Sequence, residues 1–263
     1  MKEARSFTLL SVTLGLATNA LAQLPNGAAI FPREFNDDSD SILTIVNNYP
    51  ALISFEDRML DGDGMGGEFA NRHVWRFSQD GGMTAMTFGP SSSFNTSFDV
   101  TITADSTITP RKEAGFLVDN GDCAVACAGQ GQFIVNSDAH EVVVFGGGFP
   151  FFAFPPTYDV GETVRLGLTY FLDVDGMGKV QYSAQFINPP GPLLMSPILT
   201  MDNVEHVLLA GSRVGGYGQF NIQVGNPENG ATAIFGNITF VPEPSSLMLL
   251  GFAGLVGLRR RRH

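Results

Sequence analysis

The chain has 263 residues, of which 44 % are hydrophobic and only 16 % charged, with 31 glycines, 15 prolines and 22 phenylalanines. This composition favours strands and turns over helices. The net charge is −11, and four of the fifteen Lys and Arg residues fall in the last five positions. The remainder is therefore more acidic still, which excludes a basic nucleic-acid footprint and leaves neutral polysaccharide, divalent cations or plain solubility as readings of the acidity.

Residues 1–22 open with Lys2 and Arg5, run apolar over 7–17 and close on Ala20-Leu21-Ala22 before Gln23. The apolar run is too short to span a bilayer as a stable helix, and small residues at the first and third positions before a cut suit signal peptidase. The expectation is a secretory signal with the exported chain starting at Gln23.

From there, apolar and polar residues alternate with period two, the pattern of strands with one buried face. Strands are expected at 42–46, 51–55, 74–77, 83–88, 98–104, 115–118, 131–135, 141–145, 164–172, 180–186, 206–210, 219–224 and 231–240. No stretch holds a helical period and no repeat of fixed length occurs. Two loops share a pattern, Asp61-Gly62-Asp63-Gly64-Met65-Gly66 and Asp173-Val174-Asp175-Gly176-Met177-Gly178. The second joins two long alternating runs and is expected to close a hairpin. Carboxylates two apart can also grip calcium with help from backbone carbonyls. Asp61 and Asp63, with Glu68 near, are the better candidates, and Asp173 and Asp175 the second pair. Arg72 and Ala184 stand where an EF-hand needs its twelfth-position glutamate. Trp75, the only tryptophan, shares a strand face with His73 and Phe77 and is expected in the core. Cys123 and Cys127 could close a small local disulfide in an exported protein, or remain thiols. The Gly/Pro-rich segment 145–158 carries Phe149, Phe151, Phe152, Phe154 and Tyr158. These aromatics either plug an end of the fold or form an exposed binding or self-association patch.

No catalytic constellation is visible. Glu56 and Asp57 are adjacent and so point to opposite faces, while Glu113 and Glu162 stand alone. No Glu-x-Asp-x-Glu run, His-Glu-x-x-His pair or Gly-x-Ser-x-Gly elbow occurs. The expectation is a non-enzymatic protein without a certain cofactor.

The C-terminal end reads Val241-Pro242-Glu243-Pro244-Ser245-Ser246, then twelve apolar residues over 247–258, then Arg259 to Arg262 and His263. Twelve residues make about 18 Å of helix, short of a roughly 30 Å hydrocarbon core. The arginines are expected to stay cytoplasmic, with the prolines on the outer face of the inner membrane. This order of parts resembles the PEP-CTERM sorting signal. The resemblance implies recognition at Pro242, Glu243 and Pro244 by exosortase, a membrane-embedded enzyme of Gram-negative bacteria that make exopolysaccharide. It also implies transient contact with the inner membrane before release to the surface or matrix.

The middle resembles concanavalin A-like lectin and glucanase domains. The resemblance rests on strand number, on residues 111–118 followed by 131–135, and on the closing strand 234–240. It implies an all-β, two-sheet antiparallel sandwich of the jelly-roll kind over 23–240, between residues 1–22 and the tail 241–263, whose apolar stretches would be short targeting helices. In such domains the first segment and the last strand often pair. The combined expectation is an exported surface protein associated with exopolysaccharide. The alternatives are a structural or adhesive matrix protein without glycan recognition, and a glycoside hydrolase with an unrecognised site.

Overall fold

A computed structural model describes residues 24–36, 38–62, 69–105, 109–121 and 131–242. These contain no helix. In chain order the strands are β1 (Gly27–Asn36), β2 (Ile42–Asn48), β3 (Leu52–Arg58), β4 (Ala70–Ser78), β5 (Phe94–Ala104), β6 (Lys112–Asp119), β7 (Gly131–Asn136), β8 (Val142–Phe145), β9 (Phe152–Phe154), β10 (Thr163–Leu172), β11 (Gly178–Asn188), β12 (Leu193–Met195), β13 (Leu199–Thr200), β14 (Arg213–Asn221) and β15 (Ala231–Pro242). They form two antiparallel sheets. One has the order β1-β4-β14-β6-β7-β8-β9, and the other β12-β11-β10-β5-β15-β3-β2 with β13 beside β11.

Each sheet turns one row of alternating side chains inward, so the two rows meet as a single core. Trp75 is fully buried there. Its ring meets Phe77, Phe98 and Phe235 edge-on at centroid distances of 5.3, 5.5 and 5.9 Å, the geometry that aromatic quadrupoles favour. The β10–β11 hairpin forms where its alternation and its Asp/Gly loop place it, with Leu172 opposite Gly178. Gly176 takes the left-handed φ of +77° that the turn needs.

Several expectations are corrected. Residues 83–88 are irregular except for a single bridge from Phe88 to Ser212. Residues 206–210 hold no strand and follow a turn over 203–206 in which the His206 N–H donates to the Asn203 carbonyl. Their alternation arises from packing over the sandwich, not from a ladder. The strand expected at 219–224 runs instead over Arg213–Asn221, because its glycines are sheet residues. A Cβ on Gly215 would overlap the Trp75 carbonyl oxygen of neighbouring β4, so the missing side chain is what lets the two strands approach. The first and last strands do not pair: β1 lies on β4, while β15 sits between β5 and β3 in the other sheet.

β15 runs two residues past the expected boundary at 240, with Val241 opposite Asn95 and Pro242 opposite Phe94. Among the described residues no helix is long and apolar enough to cross a membrane. Both terminal apolar stretches lie outside the described residues, as do Ala20, Ala22, Gln23, Asp63, Glu68, Cys123, Cys127, Glu243 and Pro244.

Candidate functional site

The outer face of the seven-stranded sheet carries a groove of about 500 Å³. Strand alternation builds it. On β4, His73, Trp75 and Phe77 turn to the core, so Arg72 and Val74 turn outward; on β14, Tyr217 and Gln219 do the same. Val74, Leu117, Ile134, Val143 and Tyr217 form a second, smaller apolar cluster on this face, with Phe145 packed against it. Above that floor, Arg72, Arg111, Glu113, Gln132, Glu141, Gln219 and Asn221 supply the polar lining, and Phe69, Phe145 and Phe151 the rings.

The polar groups are tied to one another. Tyr217 is fully buried, and its hydroxyl donates to Glu113 Oε1 at 2.9 Å. Arg111 Nε donates to Glu113 Oε2 at 2.7 Å. Burial first, and the Glu113 carboxylate second, push the Tyr217 phenol well above its ordinary range, because both disfavour a phenolate. Arg72 is held differently. Its Nε donates to the neutral Gln219 Oε1 at 2.9 Å, and its guanidinium lies 5.8 Å from the ring centroids of both Phe35 and Tyr217. Among the described residues no carboxylate pairs with it, so Arg72 presents a guanidinium to the groove with part of its charge uncompensated.

The aromatic segment divides. Phe149, Phe154 and Tyr158 are buried and do not form a surface patch. Phe149 meets Tyr182 at 5.8 Å, Phe154 stacks on Phe133 at 5.7 Å, and the Tyr158 hydroxyl accepts the Ile102 N–H at 2.8 Å. Phe152 is half-buried against Phe154 at 4.9 Å. Phe151 alone of the five stands out, 70 % exposed, and it lines the groove. A three-residue strand with period two must send Phe152 and Phe154 to one side, and the core claims that side.

The calcium candidates stand apart from the groove. Asp173 Oδ1 accepts the N–H groups of Asp175 at 3.0 Å and Met177 at 2.9 Å, and its Oδ2 pairs with Lys179 at 3.1 Å. The Met177 bond and the Lys179 ammonium hold this carboxyl below its usual range. Asp173 is therefore committed to shaping its own turn, and Asp175 contributes its N–H to the same turn. Asp61 borders the segment outside the described residues, and its carbonyl accepts the Gly225 N–H at 2.8 Å. Among the described residues no three His, Cys, Asp or Glu side chains are grouped to hold a metal. Sequence reasoning missed Arg72, Gln132, Tyr217 and Gln219. The available signal was the spacing of Tyr217 and Gln219, two apart on one strand face, but their glycine-rich neighbours read as loop.

Residues 240–262 match the PEP-CTERM protein-sorting motif, whose first three residues are thus the last three of β15. No curated protein matches the chain. Among solved structures, the alginate lyase from Klebsiella pneumoniae superposes with a TM-score of 0.52 at 9 % identity, covering 82 % of this chain and 95 % of that one. The alginate lyase from Corynebacterium sp. gives 0.47 at 10 % identity, covering 82 % and 94 %. The Emp47p carbohydrate recognition domain gives 0.46 at 12 % identity, covering 86 % and 92 %. At 9 % identity the likeness to the Klebsiella pneumoniae structure extends to the fold alone, and a shared fold does not carry a shared function. The chain carries a PEP-CTERM sorting motif behind a two-sheet β-sandwich, and that motif implies exosortase-processed export to the cell surface.

Proposed function

We propose that the exported sandwich is a non-catalytic glycan-binding protein of the cell surface or matrix, whose groove holds a polysaccharide bearing anionic sugars. The observation that carries this reading is Arg72, a guanidinium facing the groove whose partners among the described residues are the neutral Gln219 and the rings of Phe35 and Tyr217. A sugar carboxylate is the planar acceptor that such a fork binds in two-point fashion. Phe151, exposed at the groove, offers a face for stacking on a pyranose ring. Gln132, Gln219 and Asn221 offer amides for hydroxyl groups.

The same geometry speaks for binding over chemistry. Tyr217 is the phenol nearest the polar lining, and a phenol kept protonated by burial and by an adjacent carboxylate cannot serve as a base near neutral pH. Glu113 in turn accepts from Tyr217 at one oxygen and from Arg111 at the other, which holds it as a carboxylate beside a cation. The lyases among the structural neighbours share the fold and contribute no residue argument to this chain.

The test is retention of the protein on immobilised acidic and neutral polysaccharides, together with the Arg72→Ala variant. Saturable binding to an acidic polymer is expected, weakened roughly 10- to 100-fold in the variant, since a lost charge-assisted pair costs about 1.5–3 kcal/mol. Equal binding by Arg72→Ala would remove the argument for anionic sugars. Shortening of the polymer during incubation would overturn the non-catalytic reading.

A further inference from the structure

Every open sheet has two edges, and an edge strand offers unpaired N–H and C=O groups to any strand that can reach them. Proteins therefore block their edges with prolines, charges, bulges or brevity. Three of the four edges here are blocked. β9 and β12 have three residues each, the first between Pro150 and Pro155, the second between Pro192 and Pro197. β1 carries Pro32, Arg33 and Glu34, and its register is broken between Phe31 and Phe35.

β2 has none of these devices. Its seven residues, Ile42-Leu43-Thr44-Ile45-Val46-Asn47-Asn48, contain no proline and no charge, and they pair with β3 without a break. Apolar side chains stand in the open, with Ile42 54 % exposed. An uncharged, β-branched, unbroken edge is the kind that pairs.

We infer that β2 pairs antiparallel with β2 of a second copy, joining two sandwiches through one continuous sheet. β2 itself has what an added strand needs: it is extended, uncharged, and carries apolar side chains on both faces, Ile42 and Val46 on one and Leu43 and Ile45 on the other. Full-length self-pairing of seven residues has its two-fold axis at Ile45, which then faces the partner's Ile45, while Leu43 faces Asn47, Thr44 faces Val46 and Ile42 faces Asn48. Such an isologous contact closes on itself and consumes the unblocked edge of both copies, so assembly stops at two. This inference is independent of what the groove binds.

The test uses the full chain in mild detergent. Sedimentation across a wide concentration range should give the dimer mass, and Ile45→Lys should shift the protein to monomer while it still unfolds cooperatively, with a melting temperature that no longer depends on concentration. Ile45→Cys should yield a disulfide-linked dimer above the background set by Cys123 and Cys127 in the parent chain. Ile42→Cys should not, because the two copies of that residue lie about 20 Å apart in the paired strands. A parent chain that stays monomeric at every concentration would overturn the inference. So would equal crosslinking at Ile42 and Ile45, which signals unspecific contact.

Discussion

Lys112 stands at the start of β6 with no solvent exposure. Its ammonium has a backbone partner, the Asn221 carbonyl, at 2.7 Å. Burial pushes its pKa from 10.5 down to about 8. At neutral pH both folded and unfolded chains carry the proton, so the fold bears the whole cost of a buried charge, about 3 kcal/mol at about 1.4 kcal/mol per pH unit. Between about 8 and 10.5 the folded chain has released the proton and the unfolded chain has not. The unfolded state then binds more protons, and unfolding free energy must rise with pH. Lys112→Met keeps the length of the stem and removes the charge. It also loses the ammonium's bond to Asn221, worth about 1.5–3 kcal/mol because the donor is charged, so the expected net gain at pH 7 is about 0–1.5 kcal/mol. The assay is urea unfolding of both proteins at several pH values from 7 to 10.5. The stability difference should shrink as pH rises and vanish or reverse by the upper end. A Lys112→Met chain that is less stable at pH 7, or a difference that does not change with pH, would refute the reasoning. Taking the difference between the two proteins removes the other titrating groups, including the buried tyrosines whose raised pKa values lower stability above pH 10.

Gly115 lies opposite Tyr217 across the β6–β14 ladder, and a Cβ there would overlap the Phe133 carbonyl oxygen of β7. Gly115→Ala should cost roughly 1–3 kcal/mol by forcing strands apart, measured by thermal or denaturant unfolding; an unchanged midpoint would show that the strands can yield. Phe149 and Phe151 separate packing from binding. Phe149→Ala should cost about 3–5 kcal/mol of stability, while Phe151→Ala should leave the melting transition within about 0.5 kcal/mol of the parent and weaken retention on the bound polysaccharide. If Phe151→Ala lowers the melting temperature as much as Phe149→Ala, the ring is a packing residue and no platform.

The alternating runs 164–172 and 180–186 were legible because period two survives wherever one sheet face is buried and the other is wet. The Asp/Gly loop between them names its own turn, since Gly176 alone supplies the left-handed residue. β14 was not legible. Its glycines are set by the approach of β4 and of the opposite sheet, a demand that no local sequence rule carries. β1 was missed for a related reason, because Pro32 and Arg33 break its pattern at a bulge that β4 accommodates. The aromatic segment shows the limit of composition: five rings in a row of glycines and prolines look alike until the fold buries Phe149, Phe154 and Tyr158 and leaves Phe151 at the groove.

The sequence by itself determined the sorting motif, the strand-rich class and the acidic character, since each depends on residue identity or on neighbours close in the chain. The groove was decided by tertiary structure alone. Arg72, Glu113, Gln132 and Tyr217 are separated by up to 145 residues and meet only because β4, β14, β6 and β7 lie side by side. Strand order is fixed by which apolar rows can be buried together, and that is a property of the whole chain.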